Sequence, residues 1–314
     1  MITMNEEILK FKPIFFPKIW GGNKLTKMFE KKLSTDKIGE AWLVSAHENG
    51  DTVVAEGPYQ DMKLSQVYKE APHLFNNKTN DEFPLLVKII DAASDLSVQV
   101  HPNDYYANKV GERYGKEEVW FVLDANEKQK VQYGHHSKSK DEFAALINYK
   151  KWDQLLKYTT ISKYDLVPVM PGTIHAIMGG TLVLEIQQSS DTTYRIYDYD
   201  RQTEDGSYRD LHIEEALMVS NIPDSSEKIV HYEFTEKSVA SLWQGNHFRI
   251  EVWNTKEMMK IKKSQNSFYI LTLISGNGTI NNVSVKSGDA LIVTAPVSEV
   301  TLTGNLHVVV AVPL

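Results

Sequence analysis

The chain has 314 residues, 42% hydrophobic and 24% charged, the composition of a folded protein of one large domain or two ordinary ones. Its net charge is −7 and its lysines are dispersed, with no basic stripe carrying interleaved aromatics, so nucleic acid is not expected as a partner, although a few local cations would suffice for a small anion. The absence of cysteine excludes disulfides and thiolate metal sites.

No apolar run approaches the ~18–20 residues of a membrane span. The N-terminal stretch carries acidic residues where a secretion signal would be basic, and Lys12, Pro13 and Pro17 break its apolar run. Cytoplasm is the expected compartment, with no membrane partner. In such a chain the N-x-[ST] matches at Asn77, Asn277 and Asn282 carry no meaning.

In chain order, a short helix is expected over 23–32, followed by strands at 40–46, 84–91, 96–101 and 118–123. The stretch 139–158 opens on a Ser/Asp/Glu start and repeats apolar residues at Phe143, Leu146, Ile147, Trp152, Leu155 and Leu156, which predicts helix. Strands follow at 166–170 and 181–187, and a second helical insertion at 212–219. Polar, turn-rich residues near 222–230 suggest a boundary, giving units 1–228 and 229–314. The second unit reads as strands at 247–253, 268–274, 290–293 and 306–312, with GNG and SGD marking tight turns. The class is mainly β, a sandwich or barrel with short helical insertions.

The stretch LSVQVHPN, 96–103, alternates Leu96, Val98 and Val100 with Ser97, Gln99 and His101. Residues two apart on a strand share a face with Cα atoms about 7 Å apart, which suits two ligands converging on one ion. Glu118 sits at the mouth of another strand, and Thr173, His175 and Ile177 share a face after a Pro-Gly turn. Gln99, His101, Glu118 and His175 therefore make a candidate nitrogen/oxygen metal site of the kind zinc accepts, with the glutamine the weakest donor. His135 and His136 read as a solvated doublet, and His73, His212, His231, His247 and His307 carry no assignment. The C-terminal unit has no paired histidines and is expected to be structural.

The successive stretches SVQVHPND, GKEEVW, PGTIHAI and EIQQSSDTTYRIYDYDR, with KPIFFPKIWGG and GEAWLVSAHENG before them, resemble the ordered signatures of type I mannose-6-phosphate isomerases, closest to the shorter bacterial form. The resemblance covers most of 10–220 and is less sharp over the last ninety residues. It implies cupin-type jelly-roll barrels and one zinc ion per chain. It also implies interconversion of mannose 6-phosphate and fructose 6-phosphate.

Carried over by position, the ligands fall on Gln99, His101, Glu118 and His175, and active-site positions on Lys88, Lys116, Asp191 and Arg195. Lys88 and Arg195 are candidates for the phosphate, and Arg195 or Lys116 for charge on the sugar oxygens. Trp20 reads equally as a core anchor or a sugar-stacking wall. Asp191 and Arg195 read alternatively as a structural ion pair. The proton carrier is open among His47, Glu40, Lys116 and Asp191. Two other functions fit the same metal set, an iron cupin oxygenase and a non-catalytic sugar-phosphate sensor. The four charged residues favour an anionic sugar over an apolar ring, and no output domain is visible. Monomer is the default.

Overall fold

The computed structural model describes residues 7–31, 35, 37–76, 82–203, 205–235 and 238–314. Its layers follow from which strands are apolar on both faces. The runs LLVKIIDA, EVWFVLD and TLVLEIQQ do not alternate, and the strands Leu85–Ala92, Glu118–Asp124 and Thr181–Gln188 are buried over nearly their whole length. They form the middle of a six-stranded sheet ordered Leu166–Val169, Glu118–Asp124, Thr181–Gln188, Leu85–Ala92, Ile14–Gly22, Ile38–Val44.

One face of this sheet packs Trp20, Ile90, Trp120, Val122 and Val183 against Val131 and Tyr133. The latter two belong to a five-stranded sheet ordered Leu156–Thr160, Lys130–His135, His175–Ala176, Val98–Val100, Tyr194–Tyr197. The other face packs Leu43, Val87, Ile89, Phe121 and Leu184 against Phe248, Ile250, Ile270, Ile292 and Val309 of a nine-stranded sheet. The six-stranded sheet is thus the middle layer of three.

The nine-stranded sheet runs Ser238–Gln244, Phe248–Thr255, Glu299–Pro313, Tyr269–Ile280, Ala290–Val293, and then continues into the start of the chain, Ile8–Lys12 and Val53–Val54. Leu9 lies opposite Ile292, and Phe11 opposite Val54. On its far side a second core gathers Trp253, Leu271, Leu291, Leu302 and Val308.

Each expected strand is present, two of them longer than read: Tyr269–Ile280 and Glu299–Pro313. Contrary to expectation, the GNG stretch at 276–278 lies inside the first of these. The reversal comes at Asn281–Asn282, both at positive φ (43° and 66°), where a two-residue hairpin loop needs it. SGD does sit at a turn, between Val283–Lys286 and Ala290–Val293.

The 139–158 stretch is not one helix. Lys140–Asn148 and Trp152–Leu155 are helical, separated by Lys150 at positive φ, and Leu156–Thr160 is a strand. The helix expected over 212–219 forms as Ile213–Val219, and that over 23–32 as Lys24–Met28. Residue 32 and Asn77 lie outside the described residues. Leu64–Glu70 and Asp104–Lys109 are helices the pattern did not suggest. No helix among the described residues is long and apolar enough to cross a membrane.

Candidate metal centre and cleft

Three strand ends deliver the proposed ligands to one point. His101 follows Val98–Val100 directly, His175 opens its own two-residue strand, and Glu118 opens the strand that leaves the GKEE stretch. Gln99 and His175 are register partners across the five-stranded sheet. His101, Glu118 and His175 are all buried, and one donor atom from each lies within 4.8 Å of the others. His101 Nε2 is 3.4 Å from Glu118 Oε2, and His175 Nε2 is 3.4 Å from Oε1.

The opposite ring nitrogens are committed. His101 Nδ1 lies 3.0 Å from the Thr192 carbonyl oxygen and His175 Nδ1 2.9 Å from that of Thr173. A carbonyl only accepts, so each Nδ1 carries the proton and each Nε2 turns its lone pair inward. Burial holds both imidazoles neutral: His101 is pushed down to about 4 by desolvation and then by Lys116, and His175 down by desolvation. Burial alone would raise the Glu118 carboxyl, but the Lys116 ammonium beside it holds it well below the usual range.

Both Glu118 oxygens are buried and receive no hydrogen bond, although the Lys116 ammonium stands 3.1 Å from Oε2. Two inward lone pairs and an ionised carboxylate with no hydrogen bond fit a divalent cation. The Gln99 amide nitrogen is 3.4 Å from His175 Nε2, and a flip of that amide presents its oxygen instead. Gln99 is therefore within reach as a fourth donor.

Above this group opens a cleft of about 300 Å³ whose floor includes Gln99 and Lys116. The Lys116 ammonium caps the cluster, 3.2 Å from His101 Nε2 and 3.1 Å from Glu118 Oε2. Its position depends on Gly115, where a Cβ would stand 2.5 Å from the backbone of Asn103 and Asp104. Lys88 lies on the same wall. It is buried, 2.9 Å from Glu185 Oε1 directly across the sheet, and over the Trp42 ring. Burial would lower its pKa, but Glu185, Glu40 and Asp191 together raise it, so Lys88 stays charged. Glu40 accepts from Trp42 Nε1 at 2.8 Å, and Lys18 lies 3.4 Å from the same oxygen.

The opposite wall carries Asp191 and Arg195, and they are not an ion pair. Arg195 donates to Ser97 Oγ at 3.2 Å and to the Asp210 carbonyl at 2.9 Å, while Asp191 accepts from Asn49 Nδ2 at 3.3 Å. Trp20 is packed in the core between the sheets and also lines the cleft. His47 is not among the lining residues; its ring stands edge-on to Trp42, 6.0 Å between centroids.

Sequence reading passed over several lining residues, namely Lys18, Glu185, Arg209 and His212. Glu185 gave the same signal as Lys88, a lone charge inside an apolar strand. Arg209 gave none; its guanidinium is fixed by Asp198, which accepts from Arg209 Nε at 2.7 Å and from Arg201 at 2.6 Å. His135, read as solvated, is buried instead: Phe143 of the following helix covers it and its Nε2 bonds the Asn221 carbonyl at 2.9 Å.

A mainly β molecule with a buried His–Glu–His group able to hold a metal beneath a polar cleft has the outline of a cupin-class protein, and residues 239–313 match the description "Mannose-6-phosphate isomerase, cupin domain". Residues 8–152 match "Phosphomannose isomerase type I, catalytic domain". The chain is 38% identical to mannose-6-phosphate isomerase ManA of Bacillus subtilis, over 98% of this chain and 99% of that one. It is 36% identical to the mannose-6-phosphate isomerase of Streptococcus mutans, over 93% and 94% of the two. The crystal structure of the mannose 6-phosphate isomerase from Bacillus subtilis superposes with a TM-score of 0.90 at 34% identity, covering 97% of this chain and 99% of that one. Phosphomannose isomerase from Salmonella typhimurium, at 14% identity over 98% and 99%, shares the fold with a TM-score of 0.76. The chain belongs to the type I mannose-6-phosphate isomerase family.

Proposed function

We propose that this enzyme is a zinc-dependent aldose–ketose isomerase that interconverts D-mannose 6-phosphate and D-fructose 6-phosphate through an enediol, acting as a cytoplasmic monomer. Family membership supports the reaction. The buried Glu118 carboxylate, without a hydrogen bond and set between two inward-facing imidazole nitrogens, carries the metal reading. His101, Glu118 and His175, with Gln99 as the fourth donor, would hold one zinc ion, which when bound supplies a Lewis acid for charge on the sugar oxygens.

The remaining tasks fall to the chain's own side chains. Arg195 and Arg209 suit the phosphate, since guanidinium groups bind it through paired N–H bonds. Lys88 and Lys116 are buried and held in place, so their charge is already organised where oxyanion character develops. Trp20 offers a flat wall to one sugar face. Moving a proton between C1 and C2 needs an acceptor. Lys88 is a poor one because its proton is held more tightly than usual. Glu40 is better placed: burial would raise its pKa, but Lys88, Lys18 and the Trp42 N–H bring it below the ordinary value and keep it ionised.

Five cations among the lining residues, Lys18, Lys88, Lys116, Arg195 and Arg209, favour an anionic sugar over the apolar ring an oxygenase would take. The test is turnover of mannose 6-phosphate before and after chelation, with metal analysis on the same sample. Activity should vanish with the metal and return with zinc. The substitutions His101→Ala, Glu118→Ala and His175→Ala should each lose metal and turnover together, and full activity in any metal-free sample would refute the reading.

A further inference from the structure

Glu117, between the cleft cation Lys116 and the ligand Glu118, points the opposite way, and its surroundings give the C-terminal sheet a part in the chemistry. The side chain is fully buried. Its carboxylate accepts from the backbone N–H of Asn246, 3.1 Å from each oxygen, and from that of His247 at 3.2 Å. Those N–H groups belong to the turn joining Ser238–Gln244 to Phe248–Thr255, the first hairpin of the nine-stranded sheet. Gly245 in that turn is required by this contact, because a Cβ there would lie 2.2 Å from Glu117 Oε1.

The contact is one side of a closed polar ring. The Glu117 backbone N–H donates to Gln188 Oε1 at 2.9 Å, and its carbonyl accepts from Gln188 N at 3.0 Å. Gln188 Nε2 donates to Asp104 Oδ1 at 3.0 Å, and Gly115 N donates to the same oxygen at 2.7 Å. His247 Nε2 closes the ring 3.3 Å from Asp104 Oδ2. The stretch 115–118 is therefore gripped from behind at Gly115 and at Glu117, and the residues between and after these grips, Lys116 and Glu118, face the metal group.

We propose that Glu117 is a positioning residue, and that the 245–247 turn of the C-terminal sheet sets the placement of Lys116 and Glu118 through it. This rests on the metal reading above. The strand end carrying this ligand and this cation is tied within its own unit by Lys116 N–H on the Pro102 carbonyl at 2.9 Å and by Glu118 in register with Val169 and Gln187. The fixed carboxylate on the back adds a tie to the C-terminal turn, because two backbone N–H donors hold a charged acceptor more firmly than a neutral one. Replacement by glutamine removes the charge and, with its oxygen at the Oε1 position, sets an NH₂ group against the Asn246 N–H where Oε2 accepted at 3.1 Å.

The test loads the full-length protein with Co²⁺ in place of zinc. It reads the visible absorption of the bound ion, its affinity by chelator competition, and kcat and KM separately. Glu117→Gln and Gly245→Ala should change the cobalt spectrum, weaken metal binding by about tenfold or more, the range seen when supports behind metal ligands are removed, and lower kcat more than KM. Leu302→Ala, in the distant second core, is the control: it should lower thermal stability and leave the spectrum and affinity at wild-type values. Should both primary variants fail to fold, His247→Ala removes only the Asp104 contact at a half-exposed site, and a smaller shift in the same spectrum is expected. Variants that lose stability while keeping the wild-type spectrum, affinity within twofold and kcat would reduce Glu117 to a fold residue and overturn the proposal. Wild-type protein that takes up no cobalt or zinc would overturn the metal reading itself, and the positioning role with it.

Discussion

At the scale of single residues, the cleft is built from charges that the fold cannot leave unpaired. Lys88 and Glu185 face each other across two central strands with both side chains buried. Removing one strands the other in a low-dielectric wall, which typically costs about 3–5 kcal/mol. Lys88→Met should therefore lower stability by roughly that amount. It should also cut kcat/KM at least about 100-fold, the usual scale for losing a preorganised charge. Metal content should not change, because Lys88 makes no contact with the His–Glu–His group. Unchanged kinetics with reduced stability would return Lys88 to a purely structural place.

These residues were legible for a simple reason. A lysine in LLVKII, or a histidine beside a glutamine on one strand face, violates the local pattern, and the violation is visible without the fold. His135 and Arg209 were not legible, because their environments are made by distant chain. Phe143 and Asn221 bury the one, and Asp198 aims the other.

At the scale of elements, strands were easier to read than helices. Every strand that was read forms, whereas Leu64–Glu70 and Asp104–Lys109 are too short to show a clear 3.6-residue period. The 139–158 stretch misled because its apolar spacing runs on into Leu155 and Leu156, while Lys150 at positive φ breaks the helix and Leu156 begins a strand beside Lys130–His135.

The loop leading to Glu118 is where element geometry matters most to the site. It holds Lys116 by threading Gly115 against the Asn103–Asp104 backbone, with Gly115 N bonded to Asp104. Gly115→Ala should force that loop outward. An overpacking cost of about 1–3 kcal/mol in a denaturant titration is expected, together with weaker metal uptake. Normal stability and normal metal binding would mean that the loop has room the geometry denies it.

At the scale of the molecule, the largest core lies between the six-stranded and nine-stranded sheets and draws on both ends of the chain. Ile270, in the nine-stranded sheet, is buried in it with Val87 and Phe121 of the central layer. Ile270→Ala should cost about 2–5 kcal/mol and shift one cooperative transition, seen alike by tryptophan fluorescence and by loss of activity. Two separated transitions would show that the sheets melt independently. Removal of residues 230–314 should leave the outer face of the central sheet bare and the remainder insoluble, before any question of chemistry arises.

The pairing of Leu9 with Ile292 also has a meaning for how the protein is made. Ribosomes add about 5–20 residues per second, so the Ile8–Lys12 strand waits roughly 15–60 seconds for Ala290–Val293 to be synthesised. During that interval the edge of Ile8–Lys10 that meets Leu291–Val293 is left open to whatever else is in the cell. This layer can close only after residues 290–293 have been synthesised, and chaperone capture of the waiting strand is the natural price of this order of assembly.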